Sequence, residues 1–193
     1  LARFSTPAEA IPMRPVPHDA ETIDFGLEIL SEYDFDSFVV GNKNSFAFAT
    51  AKAVAENPGS ARNPLFLYSD VGLGKTHLLH AIANQLKKAR PNIHIVYTST
   101  EYFTSELIDA IQNNTVTQFR SKHRQSDVLL LDDVQFLAGK ERSQEEFFHI
   151  FNMLYQARRQ IVVTSDRPPK DISHLDMRLR SRFGQGVIVD IQP

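Results

Sequence analysis

Short apolar runs alternate with amphipathic segments over most of this chain. Residues 75–88, 101–112 and 143–158 carry apolar side chains at three- and four-residue spacing, which predicts helices. Continuously apolar strands separated by helices are typical of a parallel sheet that is covered on both faces. The five apolar runs that we predict to be strands are 65–68, 93–97, 128–133, 161–166 and 187–191. Together these segments predict an α/β fold.

Each predicted helix has one apolar face. In the first helix this face consists of Leu78, Leu79, Ile82 and Leu86. In the third helix the side chains expected to face inward are Phe147, Phe148, Phe151, Leu154 and Tyr155. The second helix follows Thr98 and Glu101, which have the spacing of a capping box, so Thr98 is the expected N-cap residue.

The beginning of the chain has a different composition. Four prolines lie within residues 7–17, and proline removes backbone donors and forbids a regular helix. We therefore expect residues 1–32 to form a proline-rich linker or tail that is largely disordered, with the folded part beginning at residue 33. Because the chain begins at Leu1 rather than at methionine, we expect it to be a fragment of a longer protein.

Composition narrows the class of protein further. The 193 residues are 42% hydrophobic, which is enough for one domain with a sizeable core. A formal net charge of −2 gives no support for a strongly basic nucleic-acid binder, so any such contact must come from a local patch. The absence of cysteine excludes disulfides and thiolate metal sites. Because a bilayer requires ~20 apolar residues, we expect no membrane-spanning segment.

The stretch SDVGLGKT, residues 69–76, lies between the first predicted strand and the first predicted helix. It matches the P-loop consensus G-x-x-x-x-G-K-[ST], except that Ser69 stands at the first glycine. Backbone N–H groups of such a loop and the N-terminus of the next helix bind phosphate oxygens. Lys75 is placed to reach the β- and γ-phosphates, and Thr76 to bind Mg²⁺. An ordinary glycine turn before a helix is the alternative, and the backbone angle at Ser69 decides what the serine costs.

Polar residues end two other predicted strands. Asp132 and Asp133 end the third strand, where parallel α/β sheets bind ligands. Asp132 is expected to hold Mg²⁺, and Asp133 to orient or deprotonate a water that attacks the γ-phosphate. Thr164, Ser165 and Asp166 end the fourth strand, and such a cluster can monitor the γ-phosphate. The alternatives are helix-capping acids at the third strand and an ordinary strand end at the fourth.

Arg178 and Arg182 are four residues apart and therefore lie on one face of a helix. Exposed cationic pairs usually belong to a solvated surface. An arginine that reaches the γ-phosphate of a neighbouring molecule, however, accelerates phosphoryl transfer by about 10³–10⁵. The spacing alone leaves both interpretations open.

Four segments in order resemble the AAA+ ATPase domain of the DnaA family of bacterial replication initiators. The segments are NPLFLYSDVGLGKTHLLHAIAN, DVLLLDDVQFLAGKERSQEEFFHIFN, TSDRPPK and RLRSRFGQG, and the resemblance covers roughly residues 33–193. It implies a RecA-like core with a five-stranded parallel sheet and helices on both faces. It also implies ATP or ADP and Mg²⁺ as cofactors, and a slow ATPase.

The resemblance further implies partners and a location. Family members stack head to tail into an ATP-dependent filament in which Arg182 would touch the ATP of the next subunit. They also bind single-stranded DNA, and contacts with a replicative helicase or its loader and with regulators are implied. The implied location is the cytoplasm, in association with the nucleoid.

Carried over position by position, the resemblance assigns three sets of site residues. The implied catalytic residues are Asp132, Asp133, Asp166, Arg178 and Arg182. The implied nucleotide-binding residues are Val39, Val40, Asn44, Asp70, Val71, Gly72, Leu73, Gly74, Lys75, Thr76 and His77. The implied metal ligands are Thr76 and Asp132.

The helices expected over residues 101–125 match an insertion that distinguishes initiators and helicase loaders. The inner stripe of the first of them consists of Phe103, Leu107, Ala110 and Ile111. Ile108 lies at the edge of this stripe, and the resemblance implies that Ile108 and Arg142 contact single-stranded DNA. Core packing is the alternative for Ile108, and a solvated loop is the alternative for Arg142. The basic patch FRSKHR, residues 119–124, either contacts phosphate or is a wet helix face.

This chain departs from the family pattern in two ways. Ser69 replaces a glycine, and the sequence shown ends at Pro193, without the helical lid and the helix-turn-helix domain of the family. We therefore expect no recognition of duplex origin sequence by this piece. The alternatives are a AAA+ helicase loader or DnaA-like regulator, and a non-hydrolysing nucleotide-dependent scaffold, which Ser69 motivates. A small-molecule kinase is disfavoured, since nothing resembles an acceptor site.

Overall fold

All five predicted strands form one parallel sheet. The computed structural model describes residues 26–193, so residues 1–25 of the tail predicted over residues 1–32 lie outside the described residues. The strands are β1 (Leu65–Tyr68), β2 (Ile95–Ser99), β3 (Val128–Asp132), β4 (Gln160–Ser165) and β5 (Val187–Asp190). Their order in the sheet is β2-β3-β4-β1-β5, and every neighbouring pair is parallel.

Helices cover both faces of this sheet. They are α1 (Ser45–Glu56), α2 (Lys75–Ala89), α3 (Thr100–Gln112), α4 (Val116–Arg124), α5 (Glu141–Gln156) and α6 (Met177–Phe183), with short 3-10 helices at Val134–Leu137 and Pro169–Asp171. Leu65 and Leu67 pack in the core with α1 and α2, whereas Phe66 packs in the core with α3 to α6. Alternate side chains of the strands therefore pack into two cores, one on each face of the sheet, and the predicted α/β architecture is confirmed. Within residues 26–193, no helix has the length and hydropathy needed to cross a membrane.

Helix α1 is the element that the hydrophobic pattern does not predict. Its buried face consists mainly of Ala47, Ala51 and Ala55, so no stripe of large apolar residues marks it in the sequence. These small side chains lie against α2, and α1 and α2 share one core. A helix that packs through alanine carries a weak periodic signal although it is well buried.

Strand β2 begins and ends two residues later than predicted. A turn follows α2, in which Ile93 N–H donates to Arg90 O at 3.0 Å, and this turn takes up the first residues of the apolar run. As a consequence the N-cap of α3 is Ser99 and not Thr98. Ser99 has an extended backbone, and its Oγ accepts the Tyr102 N–H at 3.1 Å.

Helix α5 begins and ends two residues before its predicted bounds. Arg158, which was expected in the helix, has φ of +57°, and this left-handed conformation cannot continue a right-handed helix. Of the side chains expected to face inward, Phe148 and Tyr155 are half-buried at the edge of the core, and the others are buried.

Residues 26–32, which the composition assigns to the linker, pack against the folded part. Leu27 N–H donates to Tyr97 O of β2 at 2.8 Å, and Leu30 N–H donates to His80 Nδ1 at 3.2 Å. Asn84 Nδ2 on α2 donates to Leu30 O at 2.9 Å. These backbone hydrogen bonds order the segment, so the folded part begins before the predicted boundary at residue 33.

The carboxyl ends of the five strands meet at one edge of the sheet. Tyr68 at the end of β1 pairs with Ser165 at the end of β4, and Ser99 of β2 pairs with Asp132 of β3. The segments that follow β1, β3 and β4 are therefore neighbours in space. These are the segments in which the sequence places the P-loop, the carboxylate pair and Asp166.

Candidate nucleotide-binding site

The loop between β1 and α2 adopts a conformation that requires its glycines. The φ angle is +84° at Gly72 and +93° at Gly74, in the left-handed region that residues with a Cβ rarely adopt. At Gly74 a Cβ would also lie 2.7 Å from Cε2 of Phe38. Helix α2 begins directly after this turn, at Lys75. The free N–H groups and the positive dipole end of the helix therefore adjoin the loop, as phosphate binding requires.

Ser69, at the first glycine of the consensus, does not need the conformational freedom of glycine. Its φ lies outside the left-handed region, and its N–H donates to Ser165 O at 3.2 Å, extending the β1–β4 pairing by one residue. The side chain is buried, and its Oγ donates to Asp70 O at 2.8 Å. Serine therefore fits this position without backbone strain.

The Lys75 ammonium group is held by oxygen atoms of the same loop. Nζ donates to Ser69 O at 2.9 Å, to Asp70 O at 3.1 Å and to Ser69 Oγ at 3.2 Å. The side chain is buried, so its charge is screened little by water. The serine hydroxyl thus adds one polar contact to the lysine that a glycine would not provide.

Hydroxyl groups from two elements hold the Asp132 carboxylate. Thr76 Oγ1 on α2 donates to Oδ2 at 2.7 Å, and Thr164 Oγ1 on β4 donates to Oδ1. The pKa of Tyr97 on β2 is raised, mainly by burial and then by the Asp132 charge. A carboxylate beside a threonine hydroxyl offers the oxygen ligands that Mg²⁺ takes in nucleotide sites, so the donor set fits that ion.

Asp133 occupies a different position from its neighbour. Its φ is +56°, which is uncommon for a residue with a side chain, and its N–H donates to Thr164 Oγ1 at 2.9 Å. It stands at the N-cap of the first 3-10 helix, yet its side chain forms no capping hydrogen bond. The interpretation of the pair as helix-capping acids is therefore wrong for Asp133.

Asp166, directly after β4, forms a bidentate ion pair with its neighbour Arg167. Arg167 Nε donates to Oδ1 at 2.8 Å and Nη2 to Oδ2 at 2.6 Å. This contact is the main reason that the pKa of Asp166 lies below its usual range. The sequence pattern assigned no role to Arg167, because a cation next to a proline pair is typical of an ordinary turn.

The loop, Asp133 and Asp166 line one cleft of about 450 Å³, a volume typical of small-molecule sites. The buried Asp132 is not part of this lining and is connected to it through the Thr76 hydroxyl. The predicted residues that line the cleft are Val71, Gly72, Gly74, Lys75, Thr76, His77, Asp133 and Asp166. Asp70 and Leu73 belong to the loop but are not part of the lining. Tyr33, Gln135 and Phe136 line the cleft and were missed. For Gln135 and Phe136, the sequence offered one signal, which is that they follow Asp133 by two and three residues.

The segment of Val39, Val40 and Asn44, which the resemblance implies to bind the nucleotide, lies next to the loop but outside the lining of this cleft. Asn44 shapes its turn, since Nδ2 donates to Val39 O at 3.0 Å. Val39 is 85% exposed and Val40 is 47% exposed. The preceding ring, Phe38, lies 5.2 Å from the His77 ring of α2, which places the segment against the start of that helix.

Arg178 and Arg182 lie on one face of α6, and neither lines the cleft of their own chain. Arg178 Nη2 donates to Asp176 Oδ2 at 2.7 Å. Its guanidinium carbon lies 4.7 Å from the centre of the Phe148 ring, and that of Arg182 lies 5.9 Å from the same ring. Phe148 is therefore an aromatic platform beneath both arginines.

The two residues predicted to contact DNA are both exposed. Ile108 is 48% exposed, whereas Phe103 and Leu107 on the same helix are buried, so the core-packing alternative for Ile108 is wrong. Arg142 lies in the first turn of α5 rather than in a loop. Its side chain belongs to the exposed surface of that helix.

The basic patch at 119–124 is largely neutralised within the chain. Arg120 forms a bidentate pair with Glu146, with N–O distances of 2.8 and 2.5 Å. Lys122 pairs with Glu106 at 2.5 Å, and His123 is buried. The structure therefore favours a structural role for this patch over phosphate contact.

The loop, the lysine and the hydroxyl-bound carboxylate lie at one edge of a parallel sheet with the order β2-β3-β4-β1-β5. This combination defines a P-loop nucleoside triphosphatase core of the AAA+ class. Comparison with known proteins narrows the class. The model of the bacterial DnaA ATPase domain matches residues 29–190. The chain therefore belongs to the bacterial DnaA ATPase domain family.

Individual relatives agree with this assignment. A chromosomal replication initiator protein DnaA of Thermus thermophilus is 60% identical over 162 residues, which are 84% of this chain and 37% of that protein. Domain III of Thermotoga maritima DnaA superposes with a TM-score of 0.84 at 43% identity, covering 86% of this chain and 70% of that one. A replication initiator DnaA bound to AMPPCP and single-stranded DNA has a TM-score of 0.83 at 43% identity, with coverages of 86% and 51%. The chain spans little more than a third of the length of such curated relatives.

Proposed function

We propose that this chain is the ATP-binding and ATP-hydrolysing core of a DNA replication initiator, which assembles head to tail with ATP and engages single-stranded origin DNA. One observation carries the proposal. In a chain of this family, the Thr76 hydroxyl at the start of α2 is bound to the Asp132 carboxylate at 2.7 Å, beside a correctly folded P-loop. The solved family member with AMPPCP and single-stranded DNA supports both ligands.

In this proposal the loop and the start of α2 bind the triphosphate. Backbone N–H groups around Gly72 and Gly74 and the Lys75 ammonium group face the phosphate oxygens. Thr76 and Asp132 would hold Mg²⁺, which supplies neutralisation of the phosphate charge when bound. The segment of Val39, Val40 and Asn44 would contact the adenine from beside α2.

Hydrolysis requires groups around the γ-phosphate. Asp133 would orient or deprotonate the attacking water. Asp166, whose pKa is held below its usual range mainly by the contact with Arg167, would sense the γ-phosphate with that arginine beside it. We expect a single subunit to turn over slowly, since the arginine that completes the site belongs to another copy.

Self-assembly would use the arginine face of α6. Arg182, accompanied by Arg178, would reach the ATP of the next subunit, and a head-to-tail contact of this kind propagates into a filament. Family membership alone supports two further proposals. These are contact with a replicative helicase or its loader and with regulators, and a cytoplasmic location at the nucleoid.

Single-stranded DNA would bind across α3 and the start of α5. The exposed side chain of Ile108 offers an apolar contact for bases or sugars, and Arg142 offers a charge for phosphate. We expect Ile108→Ala and Arg142→Ala each to weaken binding of a fluorescent single-stranded oligonucleotide without changing nucleotide affinity.

The central test uses the full-length protein and measures ATP-dependent assembly by sedimentation. Arg182→Ala should abolish assembly. Arg90→Ala is the matched control, because Arg90 is an exposed arginine at the far end of α2. If Arg182→Ala assembles like the wild type, the assignment of the arginine is wrong.

The helicase-loader alternative is not favoured, because the matching family and the 60% identical relative are initiators. The alternative of a non-hydrolysing scaffold was based on Ser69. Because Ser69 fits the loop without backbone strain, this reason for the alternative no longer applies. A single-turnover hydrolysis assay with Lys75→Ala as the negative control decides between an ATPase and a scaffold.

A further inference from the structure

Gln135 connects the ends of two strands inside the cleft. It lies in the first 3-10 helix, two residues after Asp133, and its half-buried side chain lines the cleft. Its Nε2 donates to Asp133 Oδ1 at 3.1 Å, and its Oε1 accepts the Asp166 N–H at 3.3 Å. A carboxylate can only accept and a backbone N–H can only donate, so these two partners fix the orientation of the amide.

The two adjacent carboxylates are held in different ways. Asp132 is buried and receives hydroxyl groups from neighbouring elements. Asp133 is half-buried and has a left-handed backbone, and within residues 26–193 the Gln135 amide is the hydrogen-bond partner of its carboxylate. The direction in which this carboxylate points is therefore set by one side chain.

We propose that Gln135 is a positioning residue, which holds the Asp133 carboxylate in the cleft and couples it to the backbone at Asp166. The inference rests on the proposed function, in which Asp133 acts on the attacking water. Proton transfer demands a fixed distance and angle between the base and the water, and small misplacements cost large factors in rate. A neutral amide can supply the donor and the acceptor that this geometry needs.

A glutamate at position 135 distinguishes between the two hydrogen bonds of Gln135, because it can keep one of them and not the other. Gln135→Glu keeps an acceptor for the Asp166 N–H but turns a carboxylate toward Asp133. Because two adjacent carboxylates repel each other, the pKa of one of the two is raised. Once protonated, the introduced carboxyl group donates to Asp133 as the amide does. The variant should therefore regain hydrolysis as the pH falls, whereas an apolar near-isostere, Gln135→Met, should not.

The experiment measures single-turnover ATP hydrolysis and nucleotide affinity of the full-length protein from about pH 8.5 to about pH 5.5, which brackets the protonation of a raised carboxyl. Gln135→Ala and Gln135→Met should lower the rate roughly ten- to hundredfold, as expected for a misplaced catalytic group. Their nucleotide affinity should stay within about threefold. The rate of Gln135→Glu divided by that of the wild type should rise as the pH falls, while the ratio for Gln135→Met stays flat. Gln156→Ala, an exposed glutamine at the end of α5, is the matched control.

Each outcome decides the question. Full hydrolysis by Gln135→Ala, or a flat pH ratio for Gln135→Glu, overturns the inference and leaves the proposed function standing. A loss of rate in Gln135→Met that is matched by a loss of folded protein in thermal unfolding also overturns it. No turnover by the wild type overturns the proposed function and the inference together.

Discussion

The proposed ATP site has two parts that differ in burial. One is the edge of the sheet at which the strands end, here called the strand edge, and the other is helix α6. At the strand edge, Asp132 is 5% exposed and Thr164 is 0% exposed, and their hydrogen bonds are completed within the subunit. On α6 the Arg178 side chain is 56% exposed, and its partners are Asp176 and the ring of Phe148. One part is therefore complete when the chain folds, while the other is exposed and, in the proposed function, would be completed by a second molecule.

Burial also determines how easily each contact can be exchanged. A hydrogen bond to a charged group contributes roughly 1.5–3 kcal/mol, and removing its partner leaves a buried group unsatisfied. An exposed ion pair contributes about 0–1 kcal/mol. Asp176 can therefore release Arg178 to a phosphate at little cost, whereas Asp132 cannot leave its hydroxyl partners without destabilising the sheet edge.

The largest effect is expected at the buried part. Asp132→Asn removes the charge that would bind Mg²⁺ and accepts fewer hydroxyl hydrogen bonds, so hydrolysis should fall by about 10³, the equivalent of several kcal/mol of lost charge stabilisation. Single-turnover hydrolysis measures this. Asp190→Asn is the matched control, because Asp190 ends β5 at the same sheet edge but accepts its hydrogen bond from Gln192 and not from the P-loop threonine. Asp132→Asn with nearly full activity would remove the metal assignment.

Mixing two inactive variants tests whether the arginine face of α6 acts on the ATP site of another subunit. Arg182→Ala keeps an intact strand edge, and Asp132→Asn keeps an intact arginine face. In an equimolar mixture only the Asp132→Asn subunits, half of the total, keep an arginine face that can bind, and about half of these faces meet an intact strand edge. About a quarter of the ATP sites are therefore completed, because a head-to-tail contact uses different surfaces of each subunit. Hydrolysis should therefore return to about that fraction of the wild-type rate. No recovery, although the mixture assembles, would mean that the site is complete within one chain.

A smaller effect is expected from the aromatic platform. Phe148→Leu removes the ring beneath both arginines, and an exposed cation–π contact contributes roughly 0.5–1 kcal/mol, or about two- to fivefold in the concentration needed for assembly. Phe148→Tyr keeps the ring and should assemble like the wild type. In an Arg178→Ala background, which keeps Arg182 and the ability to assemble, Phe148→Leu should cost less than in the wild type, because the nearer of the two cations is already absent. An equal additional loss there would show that Phe148 acts through core packing.

The sequence predicts the buried part of the molecule better than the exposed part. Apolar strands, the P-loop and the carboxylates carry strong local signals, because the backbone and the phosphate chemistry restrict the residues that serve there. Helix α1 was missed because its buried face is alanine, and β2 was misplaced because a turn took up the start of its apolar run. Gln135 and Phe148 could not be assigned, since their roles depend on which strand ends and helices become neighbours in space.

The smallest effect is expected from restoring the consensus glycine at position 69. Ser69 has no left-handed backbone, and its hydroxyl adds one contact at 3.2 Å to the two backbone oxygens that bind Lys75 Nζ. Ser69→Gly should therefore change ATP and ADP affinity, measured by calorimetry, by less than about threefold, as for one exchangeable hydrogen bond. It should also lower the free energy of unfolding by about 0.4–1 kcal/mol, since glycine has more freedom in the unfolded chain. Ser69→Ala separates the hydroxyl from the Cβ. A tenfold gain in affinity for both variants would contradict this expectation. It would show that the serine hydroxyl weakens nucleotide binding by holding the lysine, so that a contact in the buried part adjusts the affinity.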